Sequence, residues 1–472
     1  MRVREKIEKA GYFWLPSTPE RKIPGTLVIQ DGGNIELEVV GLFDESIDGL
    51  NKALNGQYEL GRIVGHIEKF GLVTLDGCFY KTTNVSFGGI STSSIISTSS
   101  IYVNKAFLGV AYNENEEILF NTFKFSVEGI DEWVGISGIK VEHKFENKTA
   151  SIIYSPPEEI SINLSNGMKL LITFSWTLPG IPNIREAKIT QKTYFKLVSR
   201  QELPLDDFIS SAHKITTLLG FAVDKTVCIE QVSATSDAIV QNVGNDKTIP
   251  VSISIYYPSL PYTEIEPKID WHRMLFRFIQ IKDNLERIVY NWFEAYDKID
   301  PALNLYFSAK AGVHKYLDGK FLALVQGLES YHRRTSNEKF MDDATFKKIV
   351  NNLIEHCPEE HREWLSGKLQ YANEISLARR IKNIIEPFKN FFGTRRDRKN
   401  LVRKIVDTRN YLTHYDESLK SRAAVGQELW LLCLKMEAIF QLHLLHVLGF
   451  TREQIETIFK NSNELQRKIK EI

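Results

Sequence analysis

The alternation of apolar and polar positions changes character along this chain. In residues 1–255, short runs alternate between apolar and polar residues and end at glycine, proline or aspartate, which is the pattern of half-buried β-strands. From residue 304 onward, apolar residues recur every three or four positions, as they do on one face of a helix. The pattern therefore predicts an α+β multidomain protein, with a β-rich domain at 1–255, a helical connector at 256–303 and an all-α domain at 304–472.

Several segments of the β-rich half predict paired strands. Two β-rich runs flank the Asp-Gly-Gly sequence at 31–33, which predicts a hairpin. The other runs, separated by turn residues, predict either a sandwich or a curled antiparallel sheet. The segment 205–220 has apolar residues at helical spacing and predicts one helix that ends at Gly220. The other strand-like runs lie at 61–67, 72–78, 152–154, 160–164, 168–176 and 187–197.

Two further segments have a distinctive composition. Residues 91–95 and 97–101 form a Ser/Thr-rich repeat, for which we expect a polar hairpin or loop. Residues 265–299 combine helical spacing with many aromatic side chains. They predict a connecting helix or helix pair, which the Asp-Pro sequence at 300–301 should break.

The C-terminal part contains almost only helix signals. Thr451 and Gln454 have the spacing of a capping box at the start of a terminal helix. Several long helices with short connections predict an antiparallel bundle. The predicted core helices cover 321–332, 346–356, 372–392, the segment that ends at 414, and 428–448.

One helix of this bundle carries candidate chemistry in the sequence Arg-Asn-Tyr-Leu-Thr-His at 409–414. The guanidinium of Arg409 is a permanently charged fork that fits a phosphate group, and the imidazole of His414 can exchange a proton near neutral pH. Together they could cut RNA without a metal ion. The histidine would take the ribose 2′-OH proton, and the arginine would stabilise the phosphate as it gains charge.

The helical spacing around this sequence defines two faces. The alternative to a catalytic site is a solvated helix face with Arg409 in a structural ion pair, and the spacing alone leaves both interpretations open. One face is apolar and is predicted to be buried; it contains Leu401, Ile405, Thr408 and Leu412. A second, polar stripe contains Arg403, Asp407, Asn410 and His414.

Basic residues are concentrated at the start of the same helix. They predict a track for RNA phosphates, and the alternative is a solvated loop between two helices. The predicted RNA-binding residues are Arg395, Arg396, Arg398, Lys399 and Arg403, and Arg379, Arg380 and Lys382 extend the patch.

Charge and cysteine content narrow the class of protein. Lys+Arg and Asp+Glu both number 59, so the formal net charge is +0 and any RNA-binding surface must be a local patch. The four cysteines have no C-x-x-C spacing, which argues against a disulfide framework and a zinc ribbon. His356, Cys357 and His361 lack the second half of a metal site nearby in sequence, so neither a metal nor a cofactor is expected.

Targeting signals also bear on the expected location. The first ten residues are charged and lack the apolar core of a signal peptide. The apolar run at 429–450 is interrupted by charged and polar residues, so it predicts a buried core helix and not a membrane span. We therefore expect a soluble cytoplasmic protein.

The motif and its context resemble two known families. An R-N-x-x-x-H sequence near the end of a long helix, inside an all-α domain, resembles the HEPN ribonucleases (higher eukaryotes and prokaryotes nucleotide-binding). The N-terminal half resembles the partner domain of the ApeA family of bacterial anti-phage proteins. The segments that carry this second resemblance are 12–16, 24–27, 65–75 and 130–138.

The resemblance implies a function and a set of site residues. Arg409, Asn410 and His414 would be catalytic, and Glu329, His332 and Asp407 would be auxiliary. Glu329 would either orient Arg409 or form an ordinary ion pair. The implied activity is metal-independent endonucleolytic cleavage of RNA, with transfer RNA as a target by analogy.

The resemblance also implies partners. In HEPN families two bundles pair so that the motifs of both protomers line one cleft, which implies a homodimer. A phage-encoded protein is the implied trigger. The alternatives are a non-catalytic HEPN module that binds RNA or a nucleotide, and a protein-interaction module.

Overall fold

The computed structural model describes residues 1–44, 46, 59–87, 95–180, 184–244 and 247–470. The chain forms two compact units, Met1–Tyr290 and Asn291–Ile472. The first unit is β-rich and the second is helical, so the predicted α+β class is confirmed. The division between the units falls inside the segment that was predicted to be a connector, 256–303.

The strands of the first unit, within the described residues, number sixteen. Most of them follow the alternating runs of the sequence. They are β1 Ile7–Trp14, β2 Ile23–Gln30, β3 Asn34–Val40, β4 Glu59–Ile67, β5 Gly71–Phe87, β6 Ile95–Leu108, β7 Leu119–Val127, β8 Ile139–Lys144, β9 Thr149–Tyr154, β10 Ile160–Asn163, β11 Lys169–Thr177, β12 Thr190–Pro204, β13 Ile229–Thr235, β14 Val240–Asn242, β15 Thr248–Pro250 and β16 Ile253–Tyr256.

Twelve of these strands form one antiparallel sheet that closes on itself at one end. The sheet order is β10-β11-β12-β7-β13-β16-β6-β3-β2-β1-β4-β5, and β5 also pairs with β6. The strands β1 to β6 therefore form a six-stranded barrel, and the rest of the sheet extends from it. Of the two predicted alternatives, the curled antiparallel sheet is the one observed. The pairs β8–β9 and β14–β15 form separate two-stranded sheets.

Local sequence explains how the barrel is built. The predicted hairpin forms between β2 and β3, with Leu27 opposite Leu37 and both side chains fully buried. Its turn uses Gly32 and Gly33, whose positive φ angles of 91° and 77° suit glycine. A Cβ atom on Gly65 in β4 would overlap the ring of the buried Phe13, so this glycine allows two strands to approach closely.

The first unit contains the helices α1 Ile130–Val134, α2 Leu205–Ala222 and α3 Phe278–Ile281. The prediction that α2 ends at Gly220 is wrong by two residues. A Cβ atom on Gly220 would lie 3.0 Å from the carbonyl oxygen of Lys225, so this glycine serves close packing and not helix termination. Of the Ser/Thr-rich repeat, 97–101 lies in β6 and 91–94 lie outside the described residues.

The predicted break at Asp300-Pro301 is a kink. The helix α4, Leu285–Lys310, continues through Pro301, and only Ile299 has non-helical angles, φ −125° and ψ 21°. The missing N–H of proline and its ring clash with the preceding turn explain why a kink forms there. The residues before α4 are less helical than predicted, with 3-10 turns at Trp271–Arg273 and Lys282–Asn284 and the short α3.

The second unit, which begins within α4, is a helical bundle. The predicted segment 372–392 is only partly α-helical. It consists of an α-helix at Leu377–Ile385 that is followed by a 3-10 helix at Glu386–Phe391. The helices are α5 Leu317–Thr335, α6 Asp343–Glu355, α7 Arg362–Leu369, α8 Leu377–Ile385, α9 Arg395–His414, α10 Glu417–Lys420, α11 Gly426–Val447, α12 Arg452–Asn461 and α13 Asn463–Lys470. The capping box predicted for the terminal region starts α12.

The central helix of the bundle is α11. It is long and apolar enough to cross a membrane, but most of it is buried inside the unit, as expected of a core helix. Lys404 of α9 pairs with Glu428 at 2.9 Å, and Thr408 contacts Ala424 just before α11, so α9 and α11 run antiparallel. In contrast, α5 runs parallel to α11, because Lys320 contacts Glu437 and Tyr331 contacts His443.

A buried charge cluster links four helices of this bundle. Glu437 of α11 is 3% exposed, and its carboxylate lies 2.7 Å from Lys320 of α5, 3.9 Å from Lys310 of α4 and 3.8 Å from Lys468 of α13. Burial alone would raise the pKa of the Glu437 carboxyl, but the three lysines outweigh this effect and hold the pKa below its ordinary value. The carboxylate is therefore charged, and it stabilises the positions of the three lysines.

We expect Glu437→Gln to destabilise the helical unit by about 3–5 kcal/mol, because the change leaves the buried Lys468 and the partly buried Lys310 and Lys320 without their counter-charge. The measurement is urea-dependent hydrogen exchange of α11 amides in the full-length protein. Glu428→Gln is the control, because Glu428 is half exposed in its pair with Lys404 and should contribute at most about 1 kcal/mol. Equal urea sensitivity of the two variants would show that the cluster does not hold the bundle together.

Candidate active site at the end of helix α9

The candidate motif lies in the last two turns of α9. The helix begins at a capping box in which Thr394 and Asp397 bond each other's backbone N–H groups, which satisfies donors that the first turn leaves free. It ends at Tyr415, whose left-handed φ of 50° stops the helix directly after His414. Arg409 and His414 are thus placed at the C-terminal end of a 20-residue helix.

The buried face of α9 is covered at its centre and open at its ends. Ile405 and Thr408 are fully buried, whereas Leu401 and Leu412 are half-buried. The Thr408 hydroxyl accepts a hydrogen bond of 2.9 Å from the backbone N–H of Ala424. This buried contact fixes the motif end of α9 against the segment that leads into α11.

The opposite face of α9 carries a row of polar side chains. At 3.6 residues per turn, the members of this row fall within a stripe roughly 60° wide. The row consists of Arg396, Lys399, Arg403, Asn410 and His414. The first three are cations that lie along the helix before the motif. All five side chains are exposed except that of Asn410, which is half-buried.

Arg409 lies at the edge of the buried face and has no acidic partner among the described residues. Its Nη1 donates a hydrogen bond of 3.1 Å to the Oδ1 atom of Asn410. No carboxylate of the described residues forms an ion pair with it, so the contacts do not support the alternative of a structural ion pair. A half-buried cation without a counter-charge favours binding of an anion at this position.

His414 is the last residue of α9 and is exposed. It lies five positions after Arg409, which corresponds to about 140° around the helix axis and about 7.5 Å along it. The two side chains of one helix therefore leave in different directions. They can meet on one phosphate if the nucleic acid wraps around the helix end, or if a second copy of the motif completes the site.

The structure adds Tyr415 and Tyr411 to the candidate site. Tyr415 is 66% exposed and adjacent to His414, and its ring stands edge-on to that of Tyr411 at 5.7 Å. An exposed aromatic ring offers a stacking surface for an unpaired base. The sequence signal for this pair is two tyrosines four residues apart that overlap the motif.

Asp407 and Arg398 each contact a segment next to α9. Asp407 is largely buried and lies 3.9 Å from Arg422, in the segment between α10 and α11. Arg398 donates to the carbonyl oxygens of Gly393 and Lys389 at 2.5 Å and 3.3 Å, so its guanidinium stabilises the loop before α9.

In the rest of the predicted basic patch, some side chains are exposed, and others pair with an acidic residue or are buried. Arg379 pairs with Glu338 at 2.5 Å, and Arg380 is buried. Four residues of the predicted RNA track remain exposed: Arg395, Arg396, Lys399 and Arg403.

Glu329 and His332 belong to a different polar cluster. Glu329 accepts from Arg333 at 3.1 Å, and Arg333 also pairs with Glu374 at 2.5 Å. His332 is 5% exposed and lies 3.4 Å from both Arg380 and Asn383. The contacts of Glu329 are those of the ion-pair alternative.

Among the described residues, neither Glu329 nor His332 forms a hydrogen bond or ion pair with Arg409. The helices α5 and α9, which carry these residues, pack against each other. The supporting role of Glu329 and His332 at the motif therefore stays a prediction.

Two histidines of the bundle are buried. Burial lowers the pKa of His332, and the charge of Arg380 lowers it further. Burial likewise lowers the pKa of His443 to about 4, and its Nε2 hydrogen-bonds the carbonyl oxygen of Ile384 at 2.7 Å. Both rings are neutral at pH 7.

The described residues contain no group of three or more His, Cys, Asp or Glu side chains arranged to hold a metal ion. The two histidines of the possible metal-site fragment are engaged elsewhere. His356 Nδ1 contacts the carbonyl oxygen of Asn352 at 2.9 Å, and His361 lies 3.5 Å from Glu360.

Comparison with protein families supports the two-part organisation. A family model described as ApeA N-terminal domain 1 matches residues 8–292, and one described as Apea-like HEPN matches residues 322–454. The second match contains the motif, most of α5 and the helices α6 to α11. No curated protein and no solved structure shows significant similarity to the chain.

The burial of His443 predicts a pH dependence of stability. Its pKa is about 4 in the folded chain, below the ordinary 6.5, so the unfolded chain binds more protons between these values. Stability should therefore fall as the pH is lowered from 6.5 to 4, by about 3 kcal/mol for this group. His443→Gln retains a donor for the Ile384 carbonyl and should flatten this dependence in urea titrations at several pH values. An unchanged pH slope in that variant would contradict the assignment.

Proposed function

Because the chain belongs to the ApeA family and carries an Apea-like HEPN domain, we propose that it is an anti-phage defence protein whose helical unit cuts RNA by a metal-independent reaction. One observation carries this proposal. Arg409, which has no acidic partner among the described residues, and the exposed His414 lie together at the end of a helix whose exposed face is lined with cations.

The proposed reaction uses the two motif residues in different roles. His414 removes the proton from a ribose 2′-OH, and the resulting oxygen attacks the adjacent phosphorus while the bond to the 5′ oxygen breaks. Arg409 stabilises the additional negative charge on the phosphate, and Asn410 orients Arg409 through the hydrogen bond between them. A proton donor restores the leaving 5′-OH, so the products are a 2′,3′-cyclic phosphate and a 5′-OH end.

A second copy of the chain completes the proposed site. The roughly 140° between Arg409 and His414 on one helix favours a cleft in which Arg409 of one protomer and His414 of the other act on the same phosphate. The proposed assembly is a homodimer with two-fold symmetry.

The exposed cations of α9 provide the proposed path of the RNA. Arg396, Lys399 and Arg403 line the stripe that leads to His414, and contacts of this kind bind phosphates without reading sequence. The proposed substrate is a cytoplasmic RNA, with transfer RNA as the candidate by analogy with the family.

The first unit is the proposed sensor. A ribonuclease that is active at all times would damage its own cell, so a resting state is required. We propose that a phage-encoded protein binds the β-rich unit and favours the active pairing of the helical units. Such a ligand acts through its differential affinity for the two states, typically about 1–3 kcal/mol.

We expect His414→Ala to lower the cleavage rate by about 10² to 10⁴, because a general base is lost. Arg409→Ala should lower it by about 10² to 10³, because one donor to the charged phosphate is lost. The measurement is the appearance of 2′,3′-cyclic phosphate ends on RNA, with and without a chelator. His361→Ala and Arg452→Ala replace an exposed histidine and an exposed arginine outside the site, and both should retain full activity.

Several results would contradict this mechanism. Loss of cleavage in EDTA with recovery in Mg²⁺ would indicate a metal-dependent nuclease. RNA that is bound but never cut would favour the non-catalytic alternative. If each site uses both protomers, a mixture of His414→Ala and Arg409→Ala chains should regain part of the activity, and a mixture as inactive as its components would exclude the shared site.

We further expect cleavage by the full-length protein to increase when lysate from phage-infected cells is added, because the trigger is proposed to act on the β-rich unit. Lysate from uninfected cells is the control. Equal cleavage rates with both lysates, together with toxicity that does not depend on infection, would contradict the sensing role.

A further inference from the structure

A cavity of about 720 Å³ lies between the end of α5, the start of α6 and the helix α8. All of its lining residues belong to the helical unit, and most of them are charged. Within the described part of the chain, neither Arg409 nor His414 lines it. The cavity is therefore a second polar site, which the proposed ribonuclease reaction does not use.

Arg380 of α8 forms part of the cavity wall and is 4% exposed. Its guanidinium has two long contacts, from Nη2 to Glu374 at 3.3 Å and between Nη1 and the Nδ1 atom of His332 at 3.4 Å. Its Nε has no hydrogen-bond partner among the described residues. Buried donors of charged groups are normally paired, because an unpaired one loses its bond to water and gains none in return. One donor of this buried cation is thus left for a ligand.

A single carboxylate, that of Glu374, serves two guanidinium groups. It lies 2.5 Å from Arg333 and 3.3 Å from Arg380, so its closer contact is with Arg333. Burial lowers the pKa of the Arg380 guanidinium, the charge of Arg333 lowers it further, and the nearby carboxylates of Glu374 and Glu329 do not offset these two effects. The positive charge of Arg380 is therefore incompletely neutralised.

The other carboxylates of the lining are bonded elsewhere. Glu338 pairs with Arg379 at 2.5 Å, and Asp343 pairs with Lys339 at 2.5 Å. Asp342 accepts a hydrogen bond from a backbone N–H group in the first turn of α6. The lining thus contains more carboxylates than cations, yet, in the part of the chain that the structure describes, these carboxylates leave the Nε atom of Arg380 without an acceptor.

We propose that this cavity binds a small ligand through one carboxylate or phosphate group, which bonds the Nε and Nη2 atoms of Arg380. These two donors point side by side, and their spacing matches that of two oxygens of one oxyanion. The ligand group replaces Glu374 at Nη2 and occupies the unpaired Nε, while Glu374 keeps its closer contact with Arg333. The guanidinium then has an acceptor at both positions.

The size of the cavity and its neutral donors fit such a ligand. Sites for small molecules typically have volumes of about 300–1,000 Å³. The side chains of Ser336 and Asn337 lie in the connection between α5 and α6 and line the same cavity. Their hydroxyl and amide groups donate hydrogen bonds, so they bind the oxygens of the ligand that Arg380 leaves free.

The acidic lining favours a small ligand over RNA. A nucleic acid carries a row of phosphates, and several of them would lie close to the carboxylates of Glu338, Asp342 and Asp343. Like charges at such distances repel each other. A single anionic group avoids this repulsion, because it reaches Arg380 and leaves the rest of the lining to the uncharged part of the ligand.

The test measures the binding of inorganic phosphate and of acetate to the full-length protein by equilibrium dialysis. The two probes distinguish a phosphate ligand from a carboxylate ligand, and at least one of them should bind saturably in the millimolar range. Because phosphate also fits the motif, the titrations are done in Arg409→Ala as well as in the wild type. Binding that persists in Arg409→Ala does not depend on the cleavage site, so this proposal and the proposed function are tested separately.

Two substitutions in the cavity have opposite expected effects. Arg380→Lys keeps the charge but removes the fork, so it should weaken binding about ten- to a hundredfold, which corresponds to one charged hydrogen bond. Glu374→Gln removes the competing carboxylate and should strengthen binding about two- to fivefold, which corresponds to one exposed ion pair. Misfolding would not strengthen binding. Arg452→Lys changes an exposed arginine of α12 outside the cavity and should leave the affinity unchanged.

Circular dichroism shows whether each variant is folded. The proposal is wrong if neither anion binds in the millimolar range, if folded Arg380→Lys binds as the wild type does, or if folded Glu374→Gln binds more weakly than the wild type. A loss of RNA affinity in folded Arg380→Lys, with unchanged affinity for both anions, would show that the cavity contacts RNA and would overturn the proposal as well.

Discussion

The carboxylate of Glu437 is the buried charge on which lysines from three other helices of the helical unit converge. A buried ion costs several kcal/mol unless opposite charges surround it, and here lysines from α4, α5 and α13 converge on a single side chain of α11. The cluster therefore ties α4, α5 and α13 to the same turn of α11.

Local signals in the sequence were sufficient to predict α9. Its first turn has a capping box, its buried face repeats at helical spacing, and its end coincides with the motif. The β2–β3 hairpin was predictable for the same reason, because the Asp-Gly-Gly turn determines which residues pair. In both cases, the interactions that determine the element lie within about ten residues of one another.

Features that depend on distant residues were not predictable. The barrel closes because β5 pairs with both β4 and β6, and no local pattern specifies that second partner. His332 has the right residue type for a supporting role, but its partners Arg380 and Asn383 are distant in sequence, and no local pattern specifies those contacts. Pro301 was expected to end a helix, yet the tertiary structure keeps α4 continuous through a single distorted residue.

The hydrogen bond between Thr408 and Ala424 is the last buried contact before the final turn of α9, which carries His414. Beyond this anchor, α9 has only half-buried or exposed residues before the left-handed Tyr415, so its last turn has a low free energy of local opening. A net change of about 1 kcal/mol, the contribution of one hydrogen bond, alters such an opening equilibrium roughly fivefold. The imidazole of His414 therefore occupies a turn whose order a weak binding event can change, without any rearrangement of the core around Glu437.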